Sequence, residues 1–118
     1  EITRFGIERS DAVTAVSGSG PAYVFYFIEA LEQAALELGL PADAARQSAL
    51  ATFAGAVKLA LEDGADPATL RARVTSKGGT TERALATMEA AGVKARINDA
   101  VKAAAARSRE LGDESGRD

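Results

Sequence analysis

The strongest constraint on this chain is how its alanine-rich segments are punctuated. Alanine makes up about a quarter of the 118 residues, well above ordinary usage. It is the best helix former, and its short side chain lets helices pack closely. Glycine and proline cut this helix-forming sequence into about five pieces. From Pro21 to Leu38, the residues Val24, Ile28, Leu31, Ala35 and Leu38 recur at helical spacing, and Gly39 is placed to end that helix. Residues Tyr23 to Ile28 are aromatic and β-branched enough for a strand. The helical spacing continues through Glu29–Leu38 and decides for helix. A second helix is expected from about Ala42 to Glu62, with Leu50, Phe53, Val57 and Leu61 on one stripe and alanines on its flank. A helix with so little polar surface is buried on several sides. One chain of this length has few helices to cover it, so the pattern predicts a partner subunit.

Asp63-Gly64 closes that helix, and Asp66-Pro67 opens a short one with Asp66 as the N-cap. Further helices are expected over about Thr81–Ala91 and Lys94–Leu111, with Gly112 as the final cap. Asp11 to Val16 reads as a short helical turn, and Ser17-Gly18-Ser19-Gly20 as a break, with Ser19 or Gly20 capping a helix that begins at Pro21. The expected fold is all-α. Residues 1–10 form an entry segment, 11–112 the helical domain and 113–118 a loose polar tail. The first residue is Glu1 instead of methionine, which reads as a piece of a longer protein.

Composition narrows the chemistry. The net charge is −3, with both signs interspersed, and no basic stripe marks a nucleic-acid surface. No apolar run is long enough to span a bilayer and no secretory leader pattern is present, so a cytoplasmic location is the default expectation. Cysteine and histidine are both absent. Disulfides, thiolate catalysis and Ser-His-Asp catalysis are thereby excluded from this chain, and the commonest metal ligand is missing. Glu62, Asp63 and Asp66 fit a helix end and a cap better than a metal site.

Two segments stand out. Thr75-Ser76-Lys77-Gly78-Gly79-Thr80-Thr81 puts hydroxyls and two glycines where a helix begins. Unpaired N–H groups and the positive end of the helix dipole make such a place ready for an anion. It is not a phosphate loop, because the lysine precedes the glycines. The bland reading is a turn with a threonine N-cap. The functional reading is a carboxylate held by the N–H groups of Gly79, Thr80 and Thr81. Lys77 carries little weight as a charge partner, and Arg71, Arg73, Arg83 and Arg96 read as surface residues. The other segment, Ser17-Gly18-Ser19-Gly20-Pro21-Ala22-Tyr23, lacks the third glycine and the preceding strand of a dinucleotide fingerprint. Its bland reading is a tight helix start packed against another backbone. Its functional reading is a backbone that faces a ligand held elsewhere.

Together, Asp11–Tyr23 and Val74–Thr81 resemble the C-terminal helical domain of the pyrroline-5-carboxylate reductases, in order and in spacing. Gly39-Leu40-Pro41, Gly55-Ala56, Leu70-Arg71 and Arg109-Glu110-Leu111 add to the resemblance, which covers about Asp11 to Leu111. The resemblance implies an interlocked helical dimerisation domain, like the C-terminal domain of 6-phosphogluconate dehydrogenase. It implies reduction of 1-pyrroline-5-carboxylate to L-proline, in proline biosynthesis, with NADP(H) or NAD(H) bound mainly by an N-terminal Rossmann domain absent from these residues. The 118 residues alone are therefore expected to be inactive. Carried onto this sequence, Ser76, Gly79, Thr80 and Thr81 would hold the substrate carboxylate. Thr81 would also reach the ring nitrogen as the catalytic hydroxyl. Arg73 and Val74 would lie near the nicotinamide, and Ser19-Gly20-Pro21 would help to wall the pocket. The implied partners are the small-molecule substrate and a second copy of the chain, as a homodimer or a higher oligomer built from it. Two departures are Lys77, where many members carry proline, and the poorly matching first ten residues, with Glu8 out of clear register. The alternatives are a non-catalytic helical association module and the helical domain of a related imine or 3-hydroxyacid reductase.

Overall fold

Glycine and proline punctuation sets the helix boundaries in the computed structural model, which describes residues 6–116. Six α-helices follow in order: α1 (Arg9–Val13), α2 (Gly20–Glu37), α3 (Ala42–Asp63), α4 (Pro67–Arg73), α5 (Thr80–Ala90) and α6 (Val93–Gly116). A π-helical turn, Thr14–Gly18, joins α1 to α2. The all-α expectation holds among the described residues, and the five longer or better-patterned segments lie where the periodicity put them. Gly39, Gly64 and Gly92 take left-handed backbone just after α2, α3 and α5, as helix-ending glycines do.

Three boundaries differ from the sequence reading. The break at Ser17–Gly20 stays helical as a wide turn. The Thr14 and Ser17 hydroxyls each donate to the carbonyl four residues earlier, at 2.9 Å, and the Ser19 N–H reaches back to the Thr14 carbonyl at 2.8 Å. Such a bulge accommodates an irregular stretch without ending the helix. The last helix runs through Gly112 to Gly116. Gly112 is not among the left-handed glycines, and its penalty inside a helix, about 1 kcal/mol, does not stop one by itself. Arg107 bonds Glu110 at 3.0 Å and reaches Glu114 at 3.6 Å along the same helix. At the other end, Arg9 and Ser10 of the expected entry segment are already helical, while residues 1–5 and 117–118 lie outside the described part.

The helices divide into two compact units. Residues up to Tyr23 and from Thr87 onward form one unit, in which α6 packs against α1 and the π turn. Ser108 of α6 donates to the Asp11 carboxylate of α1 at 2.8 Å, and Ala15 and Ala105 are buried. The Tyr23 hydroxyl donates to the Ala15 carbonyl at 2.7 Å and ties the start of α2 to the π turn.

Val24–Ala86 is the other unit, and its frame is the α2–α3 hairpin. The Arg46 guanidinium grips the Glu32 carboxylate with two bonds, of 2.7 and 3.3 Å. The rings of Phe27 and Phe53 meet edge to face at 5.3 Å. These pairs occur in opposite order along the two helices, so the helices run antiparallel. Ala45 and Ala49 are the buried residues of α3.

The start of α4 is capped as the sequence predicts. The Asp66 carboxylate accepts the Thr69 N–H at 2.8 Å, and Pro67 follows at the first helical position. That bond holds the Asp66 carboxyl below the usual carboxylate range. A depressed folded-state value means stabilisation that is full above the unfolded value, about 4, and lost as pH falls through the folded one. Asp66→Ala is expected to lower the thermal midpoint at pH 7 by about 2–6 °C. The gap to wild type should begin to narrow below about pH 4 and shrink further as pH falls through the folded-state value. Melting curves at pH 7 and pH 3 check this, and an equal gap at both would sink it.

Candidate functional site

The segment Val74–Thr81 links α4 to α5 within the second unit. Its backbone is folded tightly by local bonds. The Thr75 hydroxyl donates to the Arg71 carbonyl at 2.6 Å, and the Thr75 N–H to the Ala72 carbonyl at 3.2 Å, which closes the end of α4. Gly78 then takes a φ of +76°, a conformation that side chains rarely adopt. Gly79 follows with its N–H donating to the Ser76 carbonyl at 3.1 Å. A Cβ on Gly79 would sit 3.3 Å from that same carbonyl oxygen. The dihedral angle thus calls for glycine at 78, and a side chain at 79 would be tight against the Ser76 carbonyl.

The threonine-cap reading does not hold. Thr80 is the first residue of α5, and the residue in the capping position is Gly79, which has no side chain to cap anything. The contrast with α4 is direct, because there Asp66 fills the role. The N–H groups of Thr80 and Thr81 have no acceptor among the described residues, and neither do the hydroxyls of Ser76, Thr80 and Thr81. Thr80 and Ser76 are exposed and Thr81 is half-buried. Two adjacent N–H donors at the positive end of an 11-residue helix, with hydroxyls beside them, suit a carboxylate. Of the three N–H groups singled out from sequence, that of Gly79 is spent within the turn.

The positions next to the loop divide in the same way. Val74 ends α4 with 62% of its surface exposed, an apolar side chain left uncovered beside polar residues. The Arg73 guanidinium pairs with the Asp63 carboxylate at 3.0 Å, so it braces the start of the loop against the end of α3. Asp63 also accepts the Ala65 N–H at 3.2 Å. Asp63 and Asp66 therefore serve as a helix-end partner and a cap. In the other unit, Ser19, Gly20 and Pro21 open α2. A Cβ on Gly20 would meet nothing within 4 Å, and one on Gly18 would meet only the Thr14 side chain. The glycines of that segment do not admit a second backbone of this chain.

One functional neighbour was not read from the sequence. Glu82, in the first turn of α5, accepts the Gly78 N–H at 3.0 Å. The signal for it was present: a glutamate a few residues past a helix start reaches back to backbone N–H groups, as in a capping box.

The fold and the loop define a class: an all-helical association domain with large uncovered apolar faces and an uncapped, anion-ready helix start. Comparison with known proteins gives the family. The model of the family described as pyrroline-5-carboxylate reductase dimerisation matches residues 8–111, so the chain belongs to that family. It is 47% identical over 107 residues to the pyrroline-5-carboxylate reductase of Pseudomonas aeruginosa, covering 91% of this chain and 39% of that protein. It is 48% identical to the Synechocystis enzyme over 102 residues, covering 86% of this chain and 38% of that one. Among solved structures, the NADP-bound pyrroline carboxylate reductase of Plasmodium falciparum superposes with a TM-score of 0.84 at 34% identity, covering 87% of this chain and 42% of that one. The Coxiella burnetii pyrroline-5-carboxylate reductase gives 0.82 at 42% identity, covering 86% and 37%. The chain thus spans about two-fifths of the length of the curated relatives it matches. No helix among the described residues is long and apolar enough to cross a membrane.

Proposed function

We propose that this chain is the substrate-holding and homodimerising part of a pyrroline-5-carboxylate reductase, which reduces 1-pyrroline-5-carboxylate to L-proline in proline biosynthesis. The observation that carries this reading is the family match across Val74–Thr81, together with paired N–H groups at Thr80 and Thr81 that have no acceptor among the described residues. Those two groups are proposed to hold the substrate carboxylate, with the Ser76 and Thr80 hydroxyls beside them. The Thr81 hydroxyl then lies on the side of the ring nitrogen, where Oγ1 donates a hydrogen bond and relays a proton from water to the nitrogen as the double bond is reduced, so that the hydroxyl is restored. Bound NADPH or NADH supplies the hydride. Val74 offers an uncovered apolar side chain against which a flat ring can rest. Arg73 acts there through Asp63, by fixing the end of α4. Holding the two reactants in register supplies much of the acceleration in such a reaction, and it needs neither histidine nor cysteine.

The uncovered helix faces support the homodimer. Phe25, Tyr26, Leu50, Val57 and Leu61 are all exposed in the single chain, and among the described residues only alanines are buried. An apolar groove of about 270 Å³, lined by Leu31, Leu38 and Leu40 among others, also opens at the turn of the α2–α3 hairpin. The nucleotide-binding domain is placed outside these residues, and the setting is the cytoplasm. The test is made on the full-length gene product. Purified protein given 1-pyrroline-5-carboxylate and NADPH should oxidise the cofactor and release L-proline. Failure with both NADPH and NADH would overturn the reading.

A further inference from the structure

The loop between α4 and α5 carries no proline; local bonds fold Thr75 and Gly79, and the left-handed Gly78 between them needs a restraint of its own. Glu82 is placed to pin it. The carboxylate rises from the third residue of α5 and accepts the N–H of Gly78, two residues ahead of the helix, at 3.0 Å. This closes a ring that contains Gly79, Thr80 and Thr81. The Gly78 N–H sits where the chain has its left-handed kink, so the bond restrains the turn that leads into the following N–H groups.

We propose that Glu82 is a positioning residue that sets the geometry of the anion cradle. It touches no substrate. It holds Gly78 so that the Thr80 and Thr81 N–H groups point together at one carboxylate. The effect belongs to substrate binding, because the same residue leaves the Thr81 hydroxyl untouched. The inference rests on the functional reading given above.

The test compares Glu82→Ala with Glu82→Gln in the full-length protein. The glutamine side chain keeps an oxygen that accepts the Gly78 N–H, and alanine keeps none. Glu82→Ala should raise KM for 1-pyrroline-5-carboxylate by about 3–10-fold, the worth of one ordinary hydrogen bond, with kcat within about twofold. KM for the nicotinamide cofactor should not move, and Glu82→Gln should bring KM for the substrate back to within about twofold of wild type. An unchanged KM in Glu82→Ala, or an equal rise in both variants, overturns the proposal. A second readout separates it from the functional reading. In [15N]glycine-labelled full-length protein, the Gly78 amide proton should move upfield in Glu82→Ala and far less in Glu82→Gln. If wild-type protein reduces no 1-pyrroline-5-carboxylate, the functional reading fails and the amide signal alone decides whether Glu82 pins the loop. No upfield shift in Glu82→Ala overturns the pin.

Discussion

Thr81→Val in the full-length protein is expected to lower kcat/KM for 1-pyrroline-5-carboxylate by about 100-fold, with most of the loss in kcat. Valine keeps the shape and the β-branch of threonine and removes only the hydroxyl. That hydroxyl bonds nothing among the described residues, so its loss should leave the thermal midpoint almost unchanged. The backbone N–H groups that are proposed to hold the carboxylate survive the substitution, so KM should move by less than about threefold. Thr80→Val makes the contrast. Its hydroxyl is proposed to sit beside the carboxylate, and its loss should raise KM more than it lowers kcat. Steady-state kinetics on the two variants reads this split. A Thr81→Val enzyme within about threefold of wild type in kcat/KM would remove Thr81 from the chemistry.

The other large effect concerns assembly. The chain is expected to sediment as a dimer at micromolar concentration. The double variant Val57→Asp with Leu61→Asp should raise its dissociation constant by more than about 100-fold. The two residues lie one turn apart on α3 and are 54% and 80% exposed in the single chain. Covering an aliphatic side chain of this size contributes about 1.5–3 kcal/mol, and a buried carboxylate in its place costs more. Two such changes exceed the roughly 2.8 kcal/mol that a 100-fold shift requires. Because both positions are exposed in the isolated chain, the substitutions act on association rather than on the helix. Sedimentation equilibrium across a concentration series measures the shift. A stable, well-folded wild-type monomer at micromolar concentration would contradict the expected assembly.

Local rules made much of the chain legible. Asp66-Pro67 predicted both the start of α4 and its cap, because each depends on two or three adjacent residues. Gly39, Gly64 and Gly92 marked helix ends because a left-handed residue there is a local requirement. Gly112 and the Ser17–Gly20 break misled for a related reason. A glycine permits a helix to end without compelling it, and the hydroxyls of Thr14 and Ser17 kept the chain helical through the π turn.

At the candidate site, the sequence located the segment, and the three-dimensional arrangement assigned its donors. The glycine pair before two threonines marks a helix start, a property of neighbouring residues alone; that Gly79 and not a threonine stands in the capping position came from the fold. Which N–H groups are left over is a matter of folding. Gly79 spends its N–H on the Ser76 carbonyl and Gly78 spends its own on Glu82, so Thr80 and Thr81 remain. The ion pair of Arg73 with Asp63 joins residues ten apart on two helices, and composition carries no sign of it. By itself, then, the sequence determined the all-helical class, most helix ends and the place of the loop, since these follow from backbone preferences over a few residues. Only the tertiary structure decided which polar groups are already paired and which apolar faces stay uncovered. Hydrogen-bond partners and burial depend on where distant segments come to rest.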